Sequence, residues 1–191
     1  MVAAAPGGFK GPPVGTTMPA MRRGYIGIGS NVGDRERHVR SALVRLEARG
    51  VAIDAVSSVW ETEPLESAGP ARFLNLVVRV GFEGDPPSLL ARLLDIEREA
   101  GRRRLRPNAP RELDLDLLWV DGLSWNGPDL VVPHPRMWRR AFVLAPLAEL
   151  DPDLRDPATG RTALEALAEA DGGVRRIGPL DRSVPVPRSD G

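Results

Sequence analysis

Between Glu112 and Val120 the chain alternates leucine with aspartate: Leu113, Asp114, Leu115, Asp116, Leu117. A period of two puts the leucines on one face of a strand and both carboxylates on the other. The carboxylates then stand about 6.5–7 Å apart along the strand, at ~3.3 Å rise per residue. Like charges held side by side on a rigid backbone repel, so a cation belongs between or above them. Hard divalent cations take oxygen ligands, and Mg²⁺ is commonly held by one or two carboxylates together with substrate phosphates. A bare Asp-x-Asp also suits a half-exposed edge strand with solvated aspartates. The neighbourhood favours the metal reading, because Arg102, Arg103, Arg104, Arg106 and Arg111 lie just upstream. Carboxylates for metal beside guanidiniums for phosphate is the combination that phosphoryl transfer uses.

Composition narrows the field. A chain of 191 residues, 42% hydrophobic and 27% charged, suits one globular domain with a real core. The expected division is a disordered extension over 1–22, a single domain over 23–182 and a loose tail over 183–191. A formal net charge of zero argues against a non-specific nucleic-acid binder, which would be distinctly basic. Lys10 is the only lysine, so the expected domain offers none for a Schiff base or a Walker-type phosphate contact. The absence of cysteine removes disulfides and thiolate chemistry and is compatible with a reducing interior; a cytoplasmic location is expected. No apolar run approaches the ~18 residues of a membrane span.

Local signals give an order of elements. Tyr25–Ile28 reads as a short strand ending in Gly29-Ser30-Asn31. Asp34 to Arg49 carries Val39, Ala42, Leu43 and Leu46 at helical spacing, with Gly50 as a stop. Val51 to Trp60 and Phe73 to Phe82 read as strands. Asp85-Pro86 opens a second helix with Leu89, Leu90, Leu93 and Ile96 as its stripe. Glu112 to Val120 follows as a strand, then a hairpin-like excursion over Trp125 to Pro133. Helices are expected over Ala141 to Leu150 and Thr162 to Ala170, the latter opened by a Thr162…Glu165 capping box. Thr62 to Arg72 and Gly101 to Pro110 are unusually long loops, often a functional sign. Strand, helix, strand, strand, helix, strand is the order of a ferredoxin-like split β-α-β unit. The fold class is therefore α+β, a mainly antiparallel sheet with helices on one face and the long loops over the other.

Other constellations are weaker alone. Gly27-Ile28-Gly29-Ser30-Asn31-Val32 invites a dinucleotide-fingerprint reading, but the third glycine position holds Val32, and a tight strand-to-helix turn explains it as well. His134, between Pro133 and Pro135 and followed by Arg136, Arg139 and Arg140, is a candidate phosphate donor, whereas His38 reads as a surface residue. Phe73 and Asn75 share a strand face, an aromatic with an amide beside it, which suits a flat hydrogen-bonding heterocycle.

Taken together, these stretches resemble the 6-hydroxymethyl-7,8-dihydropterin pyrophosphokinases of folate biosynthesis, from about Tyr25 to about Leu180. The resemblance rests on Gly29-Ser30-Asn31, Glu61-Thr62-Glu63-Pro64-Leu65, Phe73-Leu74-Asn75, Gly101-Arg102, Ala109-Pro110-Arg111 with Leu113-Asp114-Leu115-Asp116, and Val132-Pro133-His134 with Arg140-Ala141-Phe142, in that order. It implies a ferredoxin-like monomer that moves pyrophosphate from ATP to the pterin hydroxymethyl group with two Mg²⁺ ions. It further implies that Asp114 and Asp116 hold the metals and that Arg102, Arg111, His134 and Arg140 contact the ATP phosphates, Arg102 and Arg111 as catalytic residues. Phe73 and Phe142 would sandwich the pterin, Asn75 would bond its polar edge, and Thr62 to Leu65 would line the pocket. Many members carry a basic residue and then tryptophan before the Pro-Arg step, where this chain has Pro107 and Asn108. Two rivals are an RNA-binding module and a catalytically dead pterin binder. The first would need exposed strand aromatics and a basic face, and aromatics are only 5% here; the second is disfavoured by the intact Asp114, Asp116, Arg102 and Arg111.

Overall fold

The computed structural model describes residues 21–62, 72–101 and 111–184. Most of the expected N-terminal extension, nearly all of both long loops and most of the expected tail therefore lie outside the described residues.

The first strand, β1 (Arg22–Ser30), is longer than its sequence signal and is an interior strand of the sheet. α1 (Arg35–Ala48) begins where the Asp34 side chain accepts the Arg37 N–H, and Gly50, at φ +73°, takes the left-handed turn that follows it. The stretch expected as one strand over 51–60 is two, β2 (Ala52–Val56) and β3 (Val59–Thr62), both antiparallel to β4 (Phe73–Phe82). The break falls at Ser57, whose Oγ takes the Val77 N–H at 3.0 Å in place of a backbone carbonyl and donates to the Ser58 carbonyl. α2 (Pro86–Glu99) starts on the Asp85 cap with proline at its first position. β5 (Asp114–Val120) carries the two aspartates. The excursion after it is a minimal hairpin, β6 (Trp125–Asn126) with β7 (Val131–Val132). α3 (Ala141–Leu150) has the expected bounds, and α4 (Ala163–Leu167) has the expected capping box. α4 stops short of Ala170 because the Asp171 N–H turns to the Arg139 carbonyl at 2.8 Å. β8 (Val174–Gly178) has no counterpart among the expected elements.

The sheet is antiparallel in every pairing and runs β5-β1-β4-β3-β8, with β2 also on β4. β5, β1 and β4, followed by β2 and β3 as one broken strand, reproduce the ferredoxin-like order. Alternation sorts the side chains onto two faces. On one, Ile26, Ile28, Leu76, Val78, Leu115 and Leu117 meet Leu43 and Leu46 of α1 and Leu89, Leu93 and Ile96 of α2. Each such side chain, fully buried, contributes on the order of 2–3 kcal/mol. Leu90, expected in that stripe, is only half-buried.

The placement of all helices on one face needs correcting. Tyr25, Val77 and Leu118 point to the opposite face and pack there against Val143, Leu144 and Leu147 of α3 and Ala163 and Ala166 of α4. The physical reason is that β1, β4 and β5 are apolar on both faces over half of their length, which demands a second covering layer. α3 and α4 cover only part of that face. Beyond their edge the sheet opens into the candidate site.

Candidate functional site

Gly27, Gly29, Asn75, Asp114, Asp116, Leu118 and Phe142 line an open depression on the face shared with α3. Strand register assembles it. Gly29 stands opposite both Asn75 on β4 and Asp114 on β5, and Gly27 stands opposite Asp116. The two glycines form its floor by lacking side chains: a Cβ on Gly29 would lie 3.2 Å from Asn75 Oδ1, and one on Gly27 would lie 3.4 Å from Leu118 Cδ1. They are strand-interior residues paired on both sides, so neither the dinucleotide turn nor the tight turn describes them. The sequence signal for their role was the period of two, Gly-x-Gly on one strand face.

The aspartate strand is held from three directions. At its start Ser30 Oγ donates to the Glu112 carbonyl at 2.6 Å, and Arg111 N–H donates to Asn31 Oδ1 at 2.7 Å. As an edge strand β5 has backbone groups facing away from β1. The Leu115 N–H, between the two aspartates, goes to Oε1 of the buried Glu97 at 2.8 Å, and the Leu118 carbonyl accepts the His134 N–H at 2.8 Å. Glu97 reads in sequence as an ordinary polar helix residue. His38 also departs from expectation: it is half-buried, with Nδ1 3.5 Å from Ser30 Oγ.

The electrostatics match the chemistry of the donor set. Burial, and then the neighbouring Asp114 charge, push the Asp116 carboxyl up, while His134, Arg140 and Arg111 pull it back. Arg111 Nη1 donates to Asp114 Oδ1 at 2.6 Å. Burial lowers His134, against the pull of Asp116. The Arg136 N–H donates to His134 Nδ1 at 3.2 Å, which assigns the proton of the neutral ring to Nε2. Arg140, lowered by burial and by Arg136, lies with its guanidinium carbon 5.3 Å over the Phe142 ring.

Among the described residues no three His, Cys, Asp or Glu side chains cluster to enclose a metal alone. A carboxylate pair of this kind fits a hard cation that shares its remaining positions with phosphate oxygens and water. The structure thus brings Asn75, Asp114, Asp116 and Phe142 to one depression, with Arg111, His134 and Arg140 acting on its acidic side. Thr62 Oγ1 accepts from Asn75 Nδ2 at 3.1 Å, and Phe73 is the register partner of Thr62, two residues along β4 from Asn75. Phe73 lies on the Asn75 face but outside the lining of the depression. Arg102 and Leu65, with Arg103, Arg104 and Arg106, lie outside the described residues.

The sequence profile of the family described as 7,8-dihydro-6-hydroxymethylpterin-pyrophosphokinase (HPPK) matches residues 25–152. This chain belongs to the HPPK family. It is 42% identical over 136 residues to the 2-amino-4-hydroxy-6-hydroxymethyldihydropteridine pyrophosphokinase of Bacillus subtilis (strain 168), covering 71% of this chain and 81% of the relative. With the enzyme of that name from Methylorubrum extorquens it shares 40% over 159 residues, 82% of this chain and 99% of the relative. A crystal structure of wild-type Plasmodium falciparum HPPK-DHPS is similar in fold, with a TM-score of 0.65 at 14% identity over 80% of this chain, which spans 44% of that longer chain.

Proposed function

We propose that this HPPK-family chain transfers pyrophosphate from ATP to 6-hydroxymethyl-7,8-dihydropterin in folate synthesis, using Mg²⁺ at Asp114 and Asp116. The observation that carries the reading is the meeting of two aspartates, a guanidinium, an imidazole, an amide and an aromatic ring around one opening in the sheet. Family membership supports pterin and ATP as substrates.

In this reading the pterin hydroxyl attacks the β-phosphorus of ATP in line and the bond to the α-phosphate bridging oxygen breaks, releasing AMP. Asn75, held by its bond to Thr62, offers its amide to the polar edge of the pterin, while Phe73 and Phe142 take the ring faces. Arg111, His134 through Nε2, and Arg140 hold the phosphates and stabilise the charge that develops on them. Arg102 has the same assigned role. Asp114 and Asp116 would hold divalent cations, two in this reading, which would supply positive charge to the phosphates and lower the pKa of the attacking hydroxyl. Positioning supplies much of the remainder, because two reactants fixed in line no longer lose that entropy in the transition state.

The reading extends to a chain that acts as a monomer in a cytoplasmic setting, where ATP is supplied. Among the described residues no helix is long and apolar enough to cross a membrane. The test is incubation with ATP, Mg²⁺ and the hydroxymethyldihydropterin. AMP and the pterin diphosphate should form together; release of ADP, or no AMP above a control lacking pterin, would overturn the assignment.

A further inference from the structure

Behind the candidate pterin pocket, on the face of the sheet that carries α1, one carboxylate collects three guanidiniums. Glu61 Oε2 accepts from Arg175 Nη2 at 2.7 Å and from Arg72 Nη1 at 3.0 Å, and Oε1 accepts from Arg35 Nη1 at 3.5 Å. Arg35 Nη1 also donates to the Arg72 carbonyl at 2.8 Å. The three arginines come from the first turn of α1, the residue before β4, and β8. A carboxylate has about four lone-pair positions on its two oxygens, enough for all three donors. The Glu61 side chain is 10% exposed, whereas that of Arg175 is 67% exposed. The cluster is therefore organised around the anion, and without it three cations would face one another.

The location of this cluster gives it consequence. Glu61 immediately precedes Thr62, and Arg72 immediately precedes Phe73. Thr62 and Phe73 are register partners, and Thr62 Oγ1 is the acceptor for Asn75 Nδ2. Alternation turns Glu61 to the rear face, beside its register partner Leu74 in the α1 core, while Thr62 and Asn75 face the front. Arg72 is thus tied to Glu61 at the point where β3 meets β4, so the pairing of Thr62 with Phe73 is braced from behind. Hydrogen bonds from Arg175 and Arg72 hold the Glu61 carboxyl below its ordinary value, so it is ionised wherever the enzyme works.

We propose that Glu61 is a positioning residue for pterin recognition: its carboxylate gathers Arg35, Arg72 and Arg175 and thereby fixes Thr62 and Phe73 in the register that aims them and Asn75 at the ring. This rests on the assignment of Thr62, Phe73 and Asn75 to the pterin. Among the described residues the ATP-side candidates Arg111, Asp114, Asp116, His134 and Arg140 share none of these contacts, so loss of the anion acts on one substrate and not on the other.

Steady-state kinetics of Glu61→Gln test this. Glutamine keeps the shape and one acceptor oxygen but removes the charge. The KM for the pterin should rise about tenfold, the scale of one charge-assisted hydrogen bond lost, with the KM for ATP changing less than about twofold. Removing one of the repelling cations, as in Glu61→Gln with Arg175→Gln, should recover part of the loss. An unchanged pterin KM overturns the proposal, and so does a parallel rise in both KM values with a falling Tm, the mark of a merely structural role. Should Glu61→Gln not fold, Arg175→Gln alone removes the shortest contact from an exposed strand. It should show the same split in smaller measure, and its absence overturns the proposal equally. Phe73→Ala separates the two levels: an unchanged pterin KM there would refute the pterin assignment itself.

Discussion

Asn31 and Arg111 hold each other through two bonds, the Asn31 N–H donating to the Arg111 carbonyl at 3.1 Å and the Arg111 N–H to Asn31 Oδ1 at 2.7 Å. From that anchor the Arg111 guanidinium reaches Asp114 Oδ1. The residue that follows β1 thus sets the approach to the aspartate strand, and a buried amide 80 positions away positions a phosphate-binding candidate. Asn31→Ala removes the acceptor and leaves the Arg111 N–H without it. It should cost about 1–3 kcal/mol in urea unfolding, the penalty of an orphaned donor. It should also raise the KM for ATP more than that for the pterin; equal effects on both would detach Arg111 from the nucleotide.

Asp116 should trade stability for activity. Burial and Asp114 raise its carboxyl above the ordinary 3.8, so the ionised form is less favourable in the fold than in the unfolded chain. For a raised acid, the folded state loses stability as pH climbs from about that ordinary value through the folded one, and the loss is complete above it. In the absence of divalent cations Asp116→Asn should therefore have a higher Tm than wild type near neutral pH and the same Tm below the ordinary carboxyl value. Mg²⁺ should raise the wild-type Tm by mass action and leave the variant's unchanged, while turnover is abolished. Thermal melts across pH, with and without Mg²⁺, check each part.

Gly29→Ala tests the floor of the depression. The new Cβ would stand 3.2 Å from Asn75 Oδ1 and 3.9 Å from Asp114 Cβ, tight but free of backbone clash. Strand geometry tolerates alanine, so Tm should move by no more than a few degrees. Affinity for the pterin, measured by calorimetry, should fall at least tenfold, roughly 1.4 kcal/mol. Undiminished affinity would show that the ring does not reach this floor.

Glu149 gives a stability signature far from the chemistry. Burial raises its carboxyl, but bonds from Ser58, Arg176 and Trp60 outweigh that and leave it lower than the ordinary 4.5. A lowered acid contributes stability that is complete above the unfolded value and disappears as pH falls through the folded one. The wild-type Tm should therefore drop below about pH 4.5 more steeply than that of Glu149→Gln. Parallel acid limbs would show that the carboxylate adds nothing net.

What the chain determined locally was legible in the sequence. The caps at Asp34, Asp85 and Thr162 act within three residues of themselves, and the Leu/Asp alternation fixes two faces of β5 whatever packs on them. The family pattern then added the candidate site residues. Tertiary structure decided the rest. Val174–Gly178, with adjacent arginines and no period of two, is a strand only because β3 offers it a partner. Glu97 is a buried brace because the outward N–H of Leu115 meets it across 18 residues, and Gly27 and Gly29 are a floor because both neighbouring strands arrive in register. The three arginines on Glu61 converge from 26 residues before it, 11 after it and 114 after it. A window of sequence carries propensity and period, which are local energies; pairing, burial and opposed charges exist only once distant segments occupy the same space.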